Sequence, residues 1–299
     1  MTAPEFLHET YLRFTREQLL ERFAAVSGRR PAGRHAAYYD KGIEFWRSRR
    51  CHHSGGREVC SALGHQLEKD ERFWVANALM AAFHSPERVA AFDAVLRSAD
   101  VAAYEGPAQL GPAEDLQLYF EANLPAPRRY MEALAGDLPA RAFLPRLVES
   151  GTGRARLEGT TKVDALLLAP TTGFAVAFEA KVLSDVSTHT SYDLRRNQMA
   201  RNLDVLLEPA RPGALGSRKP ELSCFVLLTP QVFQERPHSR LYGVLREDYR
   251  DLARLHEDLP HRSEAELRTV PGRLGWTTWE KVGALVPGST PWLSGVSCP

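Results

Sequence analysis

Apolar positions in the first third of the chain recur at helical spacing. Phe6, Leu7, Tyr11, Phe14, Leu19, Leu20 and Phe23 mark an amphipathic helix over residues 5–26, which the glycines from Gly28 to Gly33 break. Further helical patterns cover residues 38–49, 59–84 and 86–99. The last has Ser85 placed to cap it and Pro86 at the first helical position. Strand patterns are scarce before residue 140. Pro107, Gly111 and Pro112 then interrupt the chain. They predict a mostly helical N-terminal region, residues 1–110, followed by a second region, residues 111–299.

In the second region the period changes. Residues 113–123 read as helical, and residues 128–134 continue that pattern after Pro125 and Pro127. Short strands are expected at 143–148 and 154–157. Two apolar runs, 163–169 and 174–183, flank a turn at Pro170 to Gly173 and read as buried strands. A helix over 192–207, an apolar strand over 222–228 and a helix over 240–259 follow. The stretch through Trp276, Trp279 and Trp292 has no clear period, and the last dozen residues read as a loose tail. This order predicts an α/β fold with a mixed central sheet flanked by helices.

The two buried runs carry charge. Side chains alternate along a strand, so Glu179 and Lys181 point to one side, away from Phe174, Val176 and Phe178. Asp164 lies fifteen residues before Glu179, on the other run. Two carboxylates and an ammonium on paired strands are costly unless something offsets them. A divalent metal held by the carboxylates, with the lysine beside it, does so and suits hydrolysis of a phosphodiester.

Asp164 followed by Glu179-Ala180-Lys181 resembles the PD-(D/E)xK nuclease superfamily, with Val163 where the strict pattern has proline. Gln198, seventeen residues past Lys181, resembles the additional helix glutamine of some branches. Asn202 stands where the RecB-like branch has tyrosine. The resemblance covers roughly residues 115–235 and implies the restriction-endonuclease-like fold. It implies Mg²⁺, with Mn²⁺ able to substitute, held by Asp164, Glu179 and the backbone carbonyl of Ala180. It further implies that Lys181 positions the attacking water and favours its deprotonation, and that Gln198 contacts Lys181 or that water. The family often has a glutamate on a helix before the sheet. Glu121 and Glu132 both qualify, and Glu158 is a further candidate. The implied function is a Mg²⁺-dependent DNA endonuclease, RNA being the less favoured substrate, acting in restriction or anti-phage defence. The alternative is a nuclease-fold protein without activity, serving as a nucleic-acid-binding or assembly module. Cutting both strands with one site per chain calls for a homodimer or a partner subunit.

Composition sharpens this picture at a few positions. Of 38 basic residues only Lys41, Lys69, Lys162, Lys181, Lys219 and Lys281 are lysines, so arginine serves wherever plain positive charge suffices. Lys162 and Lys181 both fall on the strands of interest. The net charge is only +1, but basic residues cluster at Arg29 to Arg57 and again at Arg195, Arg196 and Arg201. Lys162 and this second cluster are the candidate nucleic-acid contacts. The helical spacing of Arg195, Gln198, Arg201 and Asn202 would turn them toward the site, with Met199, Leu203 and Leu206 facing the core. His189 is either a substrate-contacting loop residue or an exposed polar turn.

Cys51, His52, His53, Cys60 and His65 form a cluster whose spacing fits no known zinc finger, so a loop entering a helix is the expectation there. No Walker-type phosphate loop occurs. With no secretory h-region, no apolar stretch of membrane-spanning length and four cysteines, the expectation is a cytoplasmic protein with reduced thiols and no membrane partner.

Overall fold

The computed structural model describes residues 14, 16–24, 70–141, 144–154, 156–209 and 218–290. The basic run of residues 29–57, the helix expected at 38–49, the cysteine–histidine cluster and Trp292 lie outside them. Five strands form one mixed sheet in the order β1 (Gln117–Leu124), β2 (Thr161–Ala169), β3 (Phe174–Ala180), β4 (Ser223–Thr229) and β5 (Leu274–Thr278). β2 runs antiparallel to both β1 and β3, and β4 and β5 run parallel to β3. The main helices are α1 (Arg16–Ala24), α2 (Glu71–Phe83), α3 (Arg88–Ser98), α4 (Arg128–Asp137), α5 (Pro145–Gly151), α6 (Gln198–Leu207), α7 (Leu241–Asp248), α8 (Leu252–Asp258) and α9 (Trp279–Leu285).

Strand alternation sorts the sheet's side chains into two cores. Leu118, Phe120, Leu167, Phe174, Val176, Phe178 and Val226 face one way and are covered by α1, α2, α3 and α9. Leu166, Leu168, Ala175, Ala177, Phe225 and Leu227 face the other way and are covered by α6, α7 and α8. The result is an α/β/α layering. Helix α2 is buried from Val75 to Phe83 and packs Trp74 edge-on against Trp279 of α9. A helix apolar on every side requires cover on every side, and here sheet and helices supply it. Core packing runs unbroken from α2 and α3 into the sheet. Backbone bonds from Trp276 N to Ala99 O and from Ala103 N to Gly272 O tie the end of α3 to the last strand.

Several expectations are corrected. Residues 117–124 form a strand, not a helix: pairing along β2 outweighs the helix preference of Ala, Glu and Leu. The strand expected at 143–148 is replaced by α5, opened by Pro145, and no strand forms at 154–157 among the described residues. The helix expected over 192–207 begins at Gln198, because the buried Asn197 caps it and accepts from Ala200 N. The helix expected over 240–259 is two, separated at Tyr249 to Asp251, where Asp251 caps the second. Ser85 accepts from Glu87 N, so α3 starts two residues later than its sequence suggests. The stretch left without a period supplies β5 and α9. At the expected tail, Ser289 and Thr290 are buried.

Candidate active site

Register places three carboxylates side by side. Phe120 pairs with Ala165 and Ala122 with Val163, so Glu121 lies opposite Asp164. Ala165 pairs with Phe178, and one step further Asp164 lies opposite Glu179. Glu121, Asp164 and Glu179 thus form a row across β1, β2 and β3. At that row the outer hairpin turns over. Leu118 and Phe120 belong to one core, Ala122 and Leu124 to the other, where strict alternation would keep all four on one face. Glu121 makes the switch with φ 54°, a left-handed conformation uncommon for a side chain of this kind. Such strain persists only where its surroundings impose it, and it clusters at functional sites.

The row is closely partnered. Asp164, half-buried, accepts a bond from Ala180 N at 2.8 Å. Glu179 is buried, and its Oε1 accepts from Lys181 Nζ at 2.7 Å and from Gln198 Nε2 at 2.6 Å. Its Oε2 accepts from Asn202 Nδ2 at 2.8 Å. Glu121 pairs with Lys162 Nζ at 2.6 Å. Asp164, Glu179, Ala180, Lys181 and Gln198 therefore lie together, with Asn202 joining them. Glu71, in the first turn of α2, lies 3.9 Å from Lys181 Nζ and accepts from Val182 N and Ser184 Oγ. Trp279 Nε1 donates to Lys181 O at 3.0 Å.

Electrostatics follow from this crowding. Burial raises the pKa of Asp164 well above the usual carboxylate range, and Glu179 and Glu121 push it further up against the opposing pull of Lys181 and Ala180 N–H. Burial also raises Glu179, with Lys181 and Asn202 opposing. Burial alone would lower Lys181, but Glu179, Asp164 and Glu71 outweigh it and hold the ammonium above its ordinary value. Lys181 is therefore a fixed cation at neutral pH.

Among the helix residues before the sheet, Glu71 is a glutamate that lies beside the row, and sequence reasoning missed it. Its one signal is the pair Asp70-Glu71 opening an apolar helix, with Asp70 accepting from Arg72 N and Phe73 N. Glu121 reaches the row from a strand. Glu132 is exposed and pairs with Arg128 on α4, and Glu158 is buried against Arg196 and Arg201. Arg196 is corrected as a nucleic-acid contact. It is buried, bonded to Glu158 and Asp204, and stacked 3.5 Å over the Tyr130 ring. It precedes α6, as does Arg195, so the shared helical face holds for Gln198, Arg201 and Asn202 alone. Arg195 is exposed; Arg201 pairs with Glu158 at 3.0 Å and donates to the carbonyls of Gly159 and Thr160. Lys162 is half-exposed beside the row. Met199, Leu203 and Leu206 are buried in the core.

The fold and site together define an α/β protein whose mixed sheet presents a row of carboxylates beside a buried lysine. No protein-family model, curated protein or solved structure matches this chain. Among the described residues no helix is long and apolar enough to cross a membrane.

Proposed function

We propose that this chain is a Mg²⁺-dependent nuclease hydrolysing phosphodiester bonds, a DNA endonuclease of restriction or anti-phage defence that works as a homodimer or with a partner subunit. One observation carries the reading: Glu121, Asp164 and Glu179 stand in a row across three adjacent strands, with Lys181 against them. The mixed sheet with helices on both faces supports the resemblance to the restriction-endonuclease-like fold.

The donor set fits Mg²⁺. It consists of hard oxygens, and Glu179 and Glu121 add like charge to the upward shift that burial gives Asp164, with Lys181 opposing. Asp164 and Glu179 would hold the ion, with the Ala180 carbonyl as a further oxygen. When bound, Mg²⁺ supplies Lewis acidity at a phosphoryl oxygen and makes a neighbouring water more acidic. The rest falls to the chain. Ala180 N–H fixes one oxygen of Asp164, and Asn202 fixes Oε2 of Glu179. Lys181 and Gln198 both donate to Oε1 of Glu179, so they stand where they can turn to the attacking water or a phosphate oxygen as charge builds there. Lys181, held as an ammonium by these carboxylates in the metal-free row, is placed to orient the attacking water and to stabilise charge on a phosphoryl oxygen.

The same contacts favour one other reading. Two ammonium groups already pair with Glu121 and Glu179, as they would in a nuclease-fold binding module without activity. Incubation of plasmid DNA with Mg²⁺ separates the two. The nuclease reading expects cleavage that EDTA stops and that Asp164→Ala or Glu179→Ala lowers by at least ~10³-fold, as loss of a metal-centred electrostatic contribution implies. Full activity in either variant would remove the row from the chemistry.

A further inference from the structure

Sixteen residues separate Lys181 from Gln198, and most of them are small and polar. Ser184, Ser187, Thr188, His189, Thr190 and Ser191 supply hydroxyls and one imidazole. A connection of this length without regular structure is uncommon in a compact domain unless it is functional. It forms one wall of a cleft of about 350 Å³, with His189, Thr190 and Ser191 on that side and Leu157, Glu158 and Arg201 on the other.

Both walls are tied to the carboxylate row. Gln198 N donates to Ser187 O at 2.8 Å, Ser187 N donates to Gln198 Oε1 at 3.2 Å, and Ser187 Oγ donates to His189 O at 3.0 Å. Gln198 therefore holds the loop with one end of its amide and Glu179 with the other. On the opposite side, Arg201 grips the carbonyls of Gly159 and Thr160, which lead directly into β2 and Asp164.

The lining selects the ligand's chemistry. Glu158 and Arg201 pair at 3.0 Å, and Arg196 behind them is paired with Glu158 and Asp204. The charges at the cleft cancel, which makes it a poor phosphate site. Thr190 Oγ1 is buried and has no hydrogen-bond partner. A buried hydroxyl without a partner costs free energy, and Thr190 is one of the residues lining the cleft. A neutral planar ligand with donors and acceptors on its edge would satisfy this hydroxyl once a χ1 rotation turns it to the cleft. The volume is at the small-molecule end of ligand sites, with room for one nucleoside but not for stacked duplex.

Resting on the nuclease reading, we infer that the cleft takes one unpaired nucleobase of the strand being cut, next to the scissile phosphate. Thr190, His189 and Ser191 read its edge, and Arg201 fixes the opposite wall to the start of β2. A base can reach this cleft from a single strand or by leaving the helical stack of a duplex.

The test moves a single abasic residue, one nucleotide at a time, through single-stranded and duplex oligonucleotides cut by the full chain with Mg²⁺. Cleavage is expected to fall about tenfold at one fixed distance between the abasic residue and the cut phosphate, in the range set by loss of one base contact. In Thr190→Val that position-specific loss should shrink to less than about twofold. Its melting temperature should hold or rise, since valine removes an unpaired buried hydroxyl at similar size. His189→Ala, on the exposed surface, should shrink the loss in the same way. A fixed offset in duplex as well as single strand identifies a flipped base, and one in single strand alone identifies an unpaired substrate. Cleavage indifferent to the abasic position overturns the inference and leaves the nuclease standing, as does an equal loss in wild type and both variants. Absence of metal-dependent cleavage of any oligonucleotide overturns the nuclease reading and the cleft's role with it.

Discussion

At the scale of single residues, three carboxylates share a narrow space with one fixed ammonium. Asp164 carries a pKa raised by burial, by Glu179 and by Glu121. A carboxyl whose pKa is higher in the folded state binds more protons there than in the unfolded chain, so its contribution to stability is lost as pH rises. Without metal, the melting temperature should therefore climb as pH falls through the raised Asp164 range toward the ordinary carboxylate range. Asp164→Asn should remove much of that slope, and Mg²⁺ should reverse it at neutral pH. Thermal melts with EDTA or Mg²⁺ across pH check this, and a flat metal-free profile would mean that the row is not under charge strain. Lys181 is the other sensitive position. Its side chain is only 6% exposed, 2.7 Å from Glu179 and 3.9 Å from Glu71. A guanidinium is larger and planar and cannot occupy that position as a point charge. Lys181→Arg should lose nearly as much cleavage as Lys181→Ala, measured by single-turnover rates. Wild-type rates in the arginine variant would reduce the lysine to a plain positive charge.

At the scale of elements, the start of α6 decides where the site's donors stand. Asn197 Oδ1 accepts from Ala200 N, while Asn197 Nδ2 donates to Tyr249 OH at 2.9 Å and to Asp258 at 2.7 Å. The cap thereby fixes the first turn of α6 to Tyr249, between α7 and α8, and to the end of α8, and Gln198 is the next residue. Asn197→Ala removes a cap and two buried side-chain bonds, at a cost of about 2 kcal/mol. Denaturant unfolding should show that loss. Cleavage should fall as well, because Gln198 and Asn202 reach Glu179 only from a correctly started helix. A variant that loses stability but keeps its rate at saturating Mg²⁺ would uncouple the cap from the chemistry.

At the scale of the whole molecule, the arginines divide into structural and surface groups. Arg195 is exposed, whereas Arg196 and Arg262 converge on the fully buried Asp204, Arg262 at 2.6 Å and Arg196 at 2.8 Å. Losing Arg196 removes a buried partner from both Asp204 and Glu158, which keep Arg262 and Arg201, so the cost stays below the roughly 3–5 kcal/mol of a fully uncompensated charge. Arg196→Ala should accordingly unfold at markedly lower denaturant without a specific effect on nucleic-acid affinity. Arg195→Ala should leave stability unchanged and flatten the slope of log affinity against log salt by about 0.9 on duplex DNA. Affinity titrations over a range of salt, with Ca²⁺ to prevent cleavage, distinguish the two. An unchanged slope in Arg195→Ala would move the contact surface elsewhere, with the basic run from Arg29 to Arg57 as the next candidate.

The sequence by itself determined the local elements that carry the motif. Two apolar runs divided by a Pro–Gly turn can form only a buried hairpin, and alternation along it puts Glu179 and Lys181 on one side whatever the rest of the chain does. Gln198 was legible for a similar reason, since it lies in a strongly periodic helix whose apolar face is anchored by Met199, Leu203 and Leu206. Register and long-range packing were decided only in three dimensions. Residues 117–124 become a strand because β2 offers them a partner, which brings Glu121 beside Asp164 although neither its neighbours nor its spacing mark it. Glu71 reaches Lys181 from more than a hundred residues away because α2 packs across β3, and nothing local records that approach. Arg196 reads as a surface charge in sequence, yet it is buried because Glu158, Asp204 and Tyr130 arrive from three separate segments to receive it. Short-range periodicity is written in consecutive residues, whereas the partners that neutralise a charge or pair a strand come from wherever the core brings the chain together.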